Sequence, residues 1–393
     1  MKLLRVIATL DPRHGGPAAG LRAITPALKA LGHDTTFATL DAPGRAHIDG
    51  LAAPVHELGP ARGGYAYAPR LGPWLRAHAG EFDAVFVHGL WQHHGRTVHR
   101  VLRALRRPYF VFPHGMLDPW FHRAYPLKHA KKWLYWRAVE NRVVRDAAAV
   151  LFTCEEECRL ARDSFRPYAC EERVVAYGTA APPDEPDAQI AAWQRHLPAV
   201  SDTPFWLFFG RIHSKKGVDL LLRAYAEIAA DHPGGVPPLV LAGPCADPAY
   251  RRELEALAAA LPAGAAVHWA GMVEGDAKWG ALRSAEVFVL PSHQENFGLA
   301  VVEALAVGTP VLISRQVNIW TEIEADGAGF ADTDDVPGTA RLLHRWHSLP
   351  AVQRELTRAG ALDAFQRRYE IHRVAESLIA TIAPLVRPAP PAA

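Results

Sequence analysis

Apolar runs bounded by glycine, proline or histidine alternate with segments of helical periodicity along the first half of the chain. Such runs are typical of strands that are buried on both faces of a parallel sheet. The strands are predicted at residues 3–9, 35–39, 84–88, 109–112 and 148–153. A Gly-Gly turn after the first strand leads into a helix predicted at residues 18–31. This alternation predicts βαβ units.

The alternation begins again in the second half of the chain. Strands are predicted there at residues 205–209, 239–242, 267–269, 287–290 and 311–313, with helices between them. The stretch between the halves is rich in proline, alanine and acidic residues, which favours an interdomain linker at residues 179–203. The sequence therefore predicts an α/β fold with two doubly wound, Rossmann-like domains, residues 1–178 and 204–365, and a last helix at residues 366–387. Two such domains are expected to face a central cleft that holds the ligand.

Composition and charge narrow the functional classes. The chain has 393 residues, of which 49% are hydrophobic and 21% are charged, which is enough for two buried cores. Its net charge of +2 gives no global case for binding nucleic acid. The four cysteines form no CxxC pair, and no apolar run reaches the roughly 18 residues of a membrane-spanning helix. We therefore expect a cytoplasmic protein in a reducing compartment.

One segment, residues 119–145, combines basic and aromatic side chains. They are Arg123, Lys128, Lys131, Lys132, Arg137, Arg142 and Arg145, interleaved with Trp120, Phe121, Tyr125, Trp133, Tyr135 and Trp136. A segment of this kind can lie on an anionic bilayer, here the inner face of the plasma membrane. The alternative is a domain helix with a solvated basic face and a buried aromatic face. The sequence leaves both interpretations open.

Two glutamates follow the strand predicted at residues 287–290. Glu295 lies in the polar loop at the end of this strand, and Glu303 lies in the helix that comes next. Ligand sites of open α/β sheets lie at the carboxyl ends of the strands, which is where Glu295 is placed. The neighbours of Glu303 are apolar, and a carboxylate in such surroundings needs a partner. The two carboxylates are therefore predicted to face one cleft.

A basic loop, GRIHSKKG at residues 210–217, follows the first strand of the second half. It lacks the GxxxxGK[ST] pattern of a nucleoside-triphosphate P-loop. Arg211, Lys215 and Lys216 nevertheless lie before a helix N-terminus, where cations and backbone N–H groups together suit an anion. Because the two glutamates lie at the same sheet edge, the combination favours a nucleotide-sugar diphosphate. The cations would hold the diphosphate, the second glutamate the ribose hydroxyls, and the loop of the first glutamate the sugar hydroxyls.

The glutamate pair separated by seven residues, E-NFGLAVV-E, resembles the signature of retaining glycosyltransferases with the GT-B fold, family GT4. GRIHSKKG is similar to that family's Arg-x4-Lys-Gly phosphate loop. The early Gly-Gly turn, a strand ending in PHG, LAGP at residues 241–244 and VNIWTEI at residues 317–323 extend the match over almost the whole chain. HGMLDPW at residues 114–120 is similar to a subgroup of bacterial enzymes that build surface polysaccharides or exopolysaccharides. The resemblance implies a C-terminal helix that crosses back onto the N-terminal domain.

The resemblance also implies roles for single residues. Arg211 and Lys216 would hold the diphosphate and stabilise the leaving group, Glu295 would hold the donor sugar, and His114 would lie near its anomeric carbon. Glu303 would bind the ribose. The other donor-binding residues implied are Gly15, Gly16, Asn296, Phe297, Gly298, Leu299, Met272 and Val273. The chain departs from the family at residues 176–179, where AYGT stands in place of the Pro-Asn-Gly of many members.

The implied reaction is transfer of a hexose from a GDP- or UDP-sugar to a glycan hydroxyl, with retention of anomeric configuration. No cofactor and no metal are expected, because the cations take a metal's place and the histidines around residues 88–122 lack metal-site spacing. The expected acceptor is a polyprenyl-diphosphate-linked glycan in the synthesis of a cell-envelope polysaccharide, such as exopolysaccharide or lipopolysaccharide. Two alternatives remain, a GT-B nucleotide-sugar 2-epimerase and a catalytically inactive, membrane-associated member of the family.

Overall fold

The alternating apolar runs form two parallel β-sheets, one in each of two units of the chain. The N-terminal unit comprises Met1–Ala180 and Ile371–Ala393, and the C-terminal unit comprises Ala181–Glu370. The computed structural model describes residues 1–11, 16–45, 48, 50–120, 122, 126–201 and 203–386. Phe121, Arg123 and Tyr125 of the basic and aromatic segment lie outside the described residues.

The described strands of the N-terminal unit are β1 (Lys2–Ile7), β2 (Asp34–Thr39), β3 (Val55–Glu57), β4 (Ala84–His88), β5 (Tyr109–Phe112), β6 (Ala149–Phe152) and β7 (Glu172–Val174). They are parallel and lie in the order β3-β2-β1-β4-β5-β6-β7. All five residues of β4 are buried, because helices cover both faces of the sheet. The strand order reverses between β1 and β4, so the carboxyl ends of these two strands flank the topological switch point.

The helices described in this unit are α1 (Gly16–Ala30), α2 (Leu71–His78), α3 (His93–Ala104), α4 (Pro126–Tyr135), α5 (Asn141–Arg145), α6 (Glu155–Ala161) and, after the C-terminal unit, α15 (Ile371–Ile382). A π-helical turn, Trp136–Glu140, joins α4 to α5. The apolar stripe of α15, which includes Val374 and Leu378, is buried against α1 and the aromatic face of the sheet. The C-terminal helix thus returns to the N-terminal unit, as the family resemblance implies.

The described strands of the C-terminal unit are β8 (Trp206–Phe209), β9 (Leu239–Ala242), β10 (Val267–Gly271), β11 (Val287–Leu290), β12 (Val311–Ser314) and β13 (Gly329–Asp332). They lie parallel in the order β10-β9-β8-β11-β12-β13, which reverses between β8 and β11. The helices described around them are α7 (Pro186–His196), α8 (Val218–Asp231), α9 (Pro248–Ala259), α10 (Gly275–Ser284), α11 (Leu299–Ala306), α12 (Trp320–Ala325), α13 (Val336–His347) and α14 (Ala351–Ala364).

The segment predicted as an interdomain linker, residues 179–203, is folded into the C-terminal unit from Ala181 onward. It contains α7, which packs against α10 with Trp193 fully buried. The two helices approach closely because Gly280 has no side chain, and a Cβ at that position would lie 2.0 Å from the carbonyl oxygen of Gln189. The linker was predicted from composition alone. Composition does not show that Gln189 and Trp193, which are four residues apart, lie on one face of a helix and contact a partner helix.

Candidate active site

The carboxyl ends of β8 and β11 meet at the switch point of the C-terminal sheet, and the loops that follow them are bonded to each other. The carbonyl oxygen of Lys215 accepts hydrogen bonds from the His293 backbone N–H and the Ser292 hydroxyl, both at 2.8 Å. Gly217 has a φ of +66°, and a Cβ there would lie 2.2 Å from the Pro291 carbonyl oxygen. Only glycine allows this left-handed turn and this close approach of the two loops.

The ammonium group of Lys216 forms an ion pair with the carboxylate of Glu295, across the two strand ends. Beside it, the Lys215 ammonium donates a hydrogen bond of 2.9 Å to the Gln294 side chain. Arg211 is exposed in the same loop, and its guanidinium forms no ion pair or hydrogen bond with the residues that the structure describes. The structure therefore brings together the cations and the first glutamate that the sequence predicted for one site.

The loop at Glu295 is held by backbone hydrogen bonds to the stretch after β12. The Glu295 N–H donates to the Gln316 carbonyl at 2.9 Å, and the Asn318 N–H donates to the Glu295 carbonyl at 3.0 Å. Gly298, with a φ of +82°, turns the chain into the N-terminus of α11. Around that turn lie the predicted Asn296 and Leu299, and Phe297 is buried edge-on against a tyrosine ring. Backbone N–H groups at such a helix start suit an anion.

Glu303 lies on α11 with little exposure, and Lys278 of α10 is its partner. The Lys278 ammonium is 3.0 Å from the Glu303 carboxylate, and it also lies 4.1 Å from the ring centre of Trp279. The sequence predicted that Glu303 needs a partner but gave no signal for Lys278, because nothing in the chain order reveals which helices pack together. The ion pair gives the carboxylate the partner that its apolar surroundings require.

Met272 and Val273 follow β10 at the edge of the same sheet. The side chain of Met272 is 58% exposed, whereas that of Val273 is buried. Of the two predicted residues, only Met272 therefore presents an apolar side chain at the surface.

In the N-terminal unit, His114 follows β5 and is linked to two buried side chains of the same sheet. Its Nε2 lies 3.0 Å from Nδ1 of His88, whose Nε2 lies 3.3 Å from the guanidinium of Arg5. Burial, with the charge of Arg5, lowers the pKa of His114 to about 3. Burial also lowers the pKa of Arg5 to about 10 and that of His88 well below its usual value. His114 is thus a neutral imidazole near neutral pH and a weak base.

Two further residues fix the surroundings of His114, and sequence reasoning missed both. The buried carboxylate of Glu157 accepts hydrogen bonds from the Gly115 N–H at 2.6 Å and the Thr153 N–H at 2.7 Å. Tyr177 lies edge-on to His114, and its hydroxyl donates to the carbonyl oxygens of Gly16 at 3.1 Å and Pro17 at 3.3 Å. Tyr177 stands at the one place where the chain departs from the family pattern. Gly15 lies outside the described residues.

Among the described residues, no group of three histidine, cysteine, aspartate or glutamate side chains is arranged to hold a metal ion. No helix in the described ranges is long and apolar enough to cross a bilayer.

Both halves of the chain match known families. Residues 189–361 match the family described as "Glycosyl transferases group 1", and residues 15–178 match the "Glycosyl transferase 4-like domain". A D-inositol 3-phosphate glycosyltransferase of Geodermatophilus obscurus is 30% identical over 249 residues, which are 61% of this chain and 53% of that protein. The enzyme of the same name from Xylanimonas cellulosilytica is 34% identical over 200 residues, 48% of this chain and 46% of that one. The chain thus spans about half the length of these curated relatives.

Solved structures share the fold over nearly the full length. Anabaena Alr3699/HepE in complex with UDP and glucose is 17% identical with a TM-score of 0.72, covering 98% of this chain and 100% of that one. Sucrose-phosphate synthase (tll1590) from Thermosynechococcus elongatus is 20% identical with a TM-score of 0.71, covering 98% of both chains. The predicted fold class, two Rossmann-like domains of the GT-B type, is confirmed.

Proposed function

We propose that this chain, which has the GT-B fold, is a group 1 glycosyltransferase that transfers a hexose from a nucleotide-diphosphate sugar to a hydroxyl acceptor. The strongest support is the cluster at the ends of β8 and β11, where Arg211, Lys216 and Glu295 lie on two loops that are bonded together. Cations fixed at a sheet edge suit a diphosphate, and a carboxylate beside them suits the hydroxyls of a sugar.

The chemistry of such a transfer explains why cations are needed. Breaking the glycosyl–phosphate bond places negative charge on the leaving diphosphate, and Arg211 and Lys216 stabilise that charge. Glu303, held by Lys278, accepts hydrogen bonds from the ribose hydroxyls. His114, a neutral imidazole, donates or accepts one hydrogen bond at the donor sugar and does not act as a strong base. We propose that the anomeric configuration is retained and that no metal or cofactor takes part.

The donor that we propose is a UDP- or GDP-sugar. Support for UDP comes from a structural neighbour, Alr3699/HepE, which has been solved with UDP and with UDP-glucose. A thermal-shift screen of UDP- and GDP-sugars tests the proposal, since a ligand at about 100 times its Kd adds roughly 2.7 kcal/mol of stability. Incubation of the best donor with and without acceptors then separates transfer, in which the anomer of the product matches that of the donor, from epimerisation, which needs the donor alone. An enzymatically inactive member would bind the donor and give neither product.

For the acceptor we propose a glycan carried on polyprenyl diphosphate, as an intermediate of exopolysaccharide or other cell-envelope polysaccharide synthesis. A second candidate is a phosphorylated cyclitol, which the names of the curated relatives favour. Assays with both acceptors decide between them. The two candidates share a phosphate group next to the sugar or cyclitol ring.

We also propose that this protein, which would act on a lipid-carried glycan, docks on the inner face of the plasma membrane through α4 and the residues around it. Leu127 is 88% exposed and Leu134 is 65% exposed, seven residues apart on one side of α4 and flanked by basic side chains. Apolar and cationic groups together bind anionic bilayers.

Vesicle flotation tests this docking. Leu127→Gln with Leu134→Gln is expected to lower recovery with vesicles that contain anionic lipid. The control is Val352→Gln with Leu356→Gln, which removes two apolar side chains that are also exposed, from α14. Equal recovery of the wild type and both double variants would contradict membrane docking through α4.

A further inference from the structure

A pocket lies within the N-terminal unit, beside the loop that follows β4. Its lining includes Tyr65, Trp91, Lys128, Lys131, Lys132 and Tyr135, and its volume is about 330 Å³. Volumes of this size are typical of sites for small molecules. The wall is contributed by α4, by the loop that follows β4 and by the loop that precedes α2.

The charge of the pocket comes from one face of α4. Lys128, Lys131, Lys132 and Tyr135 are spaced i, i+3, i+4 and i+7, so they project from the same side of the helix. The sequence of α4, PLKHAKKWLY, contains no acidic residue. Like charges at these spacings destabilise a helix, and burial together with the charge of Lys128 lowers the pKa of Lys132. Three cations on one cavity wall are stabilised by an anion that binds between them.

Aromatic groups form the rest of the wall. The Lys132 ammonium lies 4.9 Å from the ring centre of Trp91, and the hydroxyls of Tyr65 and Tyr135 are 2.9 Å apart. Trp91 has a φ of +72°, a left-handed conformation that is strained for so bulky a residue. Its backbone N–H donates to the buried carboxylate of Glu140 at 3.2 Å, which holds the turn. The indole N–H is buried and has no hydrogen-bond partner among the described residues.

We propose that this pocket binds the phosphate or diphosphate group of the acceptor, with the three lysines on the anion and Trp91 against the adjoining sugar or cyclitol ring. The inference rests on the proposed function and names the acceptor class of that reaction. Both candidate acceptors carry this group, so the anion can come from a lipid-linked diphosphate or from a free phosphate ester. The hydroxyls of Tyr65 and Tyr135 supply neutral hydrogen bonds to the same ligand.

The test measures binding of inorganic pyrophosphate to the full chain by calorimetry. The nucleoside diphosphate that binds most tightly in the donor screen is added in excess, so that pyrophosphate does not occupy the site at Arg211 and Lys216. The variant is Lys131→Gln with Lys132→Gln, and the matched control is Lys2→Gln with Lys29→Gln, which removes two exposed charges from the same unit. We expect pyrophosphate binding to weaken by at least about tenfold in the first variant and to stay unchanged in the control.

Nucleotide binding separates this proposal from the proposed function. Wild type and both double variants are expected to bind the nucleoside diphosphate equally, and loss of that binding in the wild type would count against the donor site and not against the pocket. Competition by a soluble sugar phosphate or by a short polyprenyl diphosphate in detergent identifies the source of the anion, and either supports the proposal. Equal pyrophosphate affinity in the wild type and Lys131→Gln/Lys132→Gln would overturn it. A loss confined to anionic vesicles would overturn it too, because the lysines would then serve only a bilayer surface.

Discussion

Lys216 and Glu295 have opposite charges and lie on two loops whose positions are fixed by backbone hydrogen bonds. The backbone N–H and carbonyl of Glu295 are both hydrogen-bonded to the stretch after β12. These bonds fix the position of the loop that carries the Glu295 carboxylate. Lys216 approaches from the neighbouring strand end and forms an ion pair with it. A diphosphate can share this ammonium group, whereas the carboxylate stays in place for a sugar hydroxyl. In the proposed function, Lys216 therefore contacts the diphosphate of the donor and Glu295 contacts its sugar.

Lys216→Ala is expected to lower kcat by more than about a hundredfold, because loss of one preorganised donor to a developing anion typically costs about 3 to 4 kcal/mol. Steady-state transfer rates with the donor identified in the screen measure the effect. Lys215→Ala is the control, since it removes the same charge from the same loop, where the ammonium group bonds to Gln294. Near-wild-type kcat in Lys216→Ala would remove Lys216 from the catalytic machinery.

Tyr177→Phe tests the residue at which the chain departs from the family pattern that it otherwise resembles. The change removes the hydroxyl that bonds to the Gly16 and Pro17 carbonyls, and we expect kcat to fall by about tenfold to a hundredfold as the glycine turn and His114 lose their alignment. Thermal stability should fall only by the roughly 1 kcal/mol of one hydrogen bond. Tyr225→Phe removes a similar hydrogen bond, to the Pro237 carbonyl at 3.0 Å. It should lower thermal stability and leave kcat unchanged. Equal activity of the two variants would contradict a positioning role for Tyr177.

Among the secondary-structure elements, the strands follow from the sequence and several helix contacts do not. The buried runs of β4 and β11 are apolar throughout because both faces of each strand are covered, so the pattern alone identifies them. The sequence does not predict α7, because the proline and acidic residues of this stretch favour a linker. Its place in the C-terminal unit depends on a tertiary contact with α10, and Lys278 on α10 reaches Glu303 for the same reason. Contacts between distant helices leave no periodic signal in a single sequence.

Gly280→Ala tests the packing of α7 on α10. Alanine normally stabilises a helix relative to glycine by roughly 1 kcal/mol. Here the new methyl group would meet the Gln189 carbonyl, and we expect a loss of about 1–3 kcal/mol, measured as a lower midpoint of thermal unfolding. Gly72→Ala on α2 is the control, because the nearest atom to its Cβ is a side-chain methyl at 3.7 Å. A Gly280→Ala protein as stable as the Gly72→Ala protein would show that α7 does not pack as described.

Over the whole molecule, the sequence predicted the fold class and the two strand-end regions because both depend on chain order and apolar patterning. Each sheet reverses its strand order at one point, and the predicted Lys216, Glu295 and His114 all lie near these points. The sequence could not predict that His114 is joined through His88 to a buried Arg5, because this requires knowledge of neighbouring strands. These buried groups also make the folding stability of the protein depend on pH.

The stability of the protein is expected to fall as the pH is lowered from about 7 to about 5. Burial lowers the pKa of His94 to about 4 and that of His114 to about 3, against roughly 6.5 in an unfolded chain. Between these values the unfolded state binds protons that the folded state does not, so stability rises with pH in this window and is lost on acidification. Each such histidine contributes about 1.4 kcal/mol per pH unit.

Thermal unfolding midpoints measured at several pH values check this expectation with a variant of one histidine. His94→Gln keeps a donor for the His88 carbonyl, to which His94 Nε2 is bonded at 2.9 Å, but removes one titrating group. Its stability should therefore depend less steeply on pH than that of the wild type, whatever its stability at pH 7. If His94→Gln and the wild type lost stability in parallel, His94 would have to carry a proton in the folded protein, and its neutral, buried state would be ruled out.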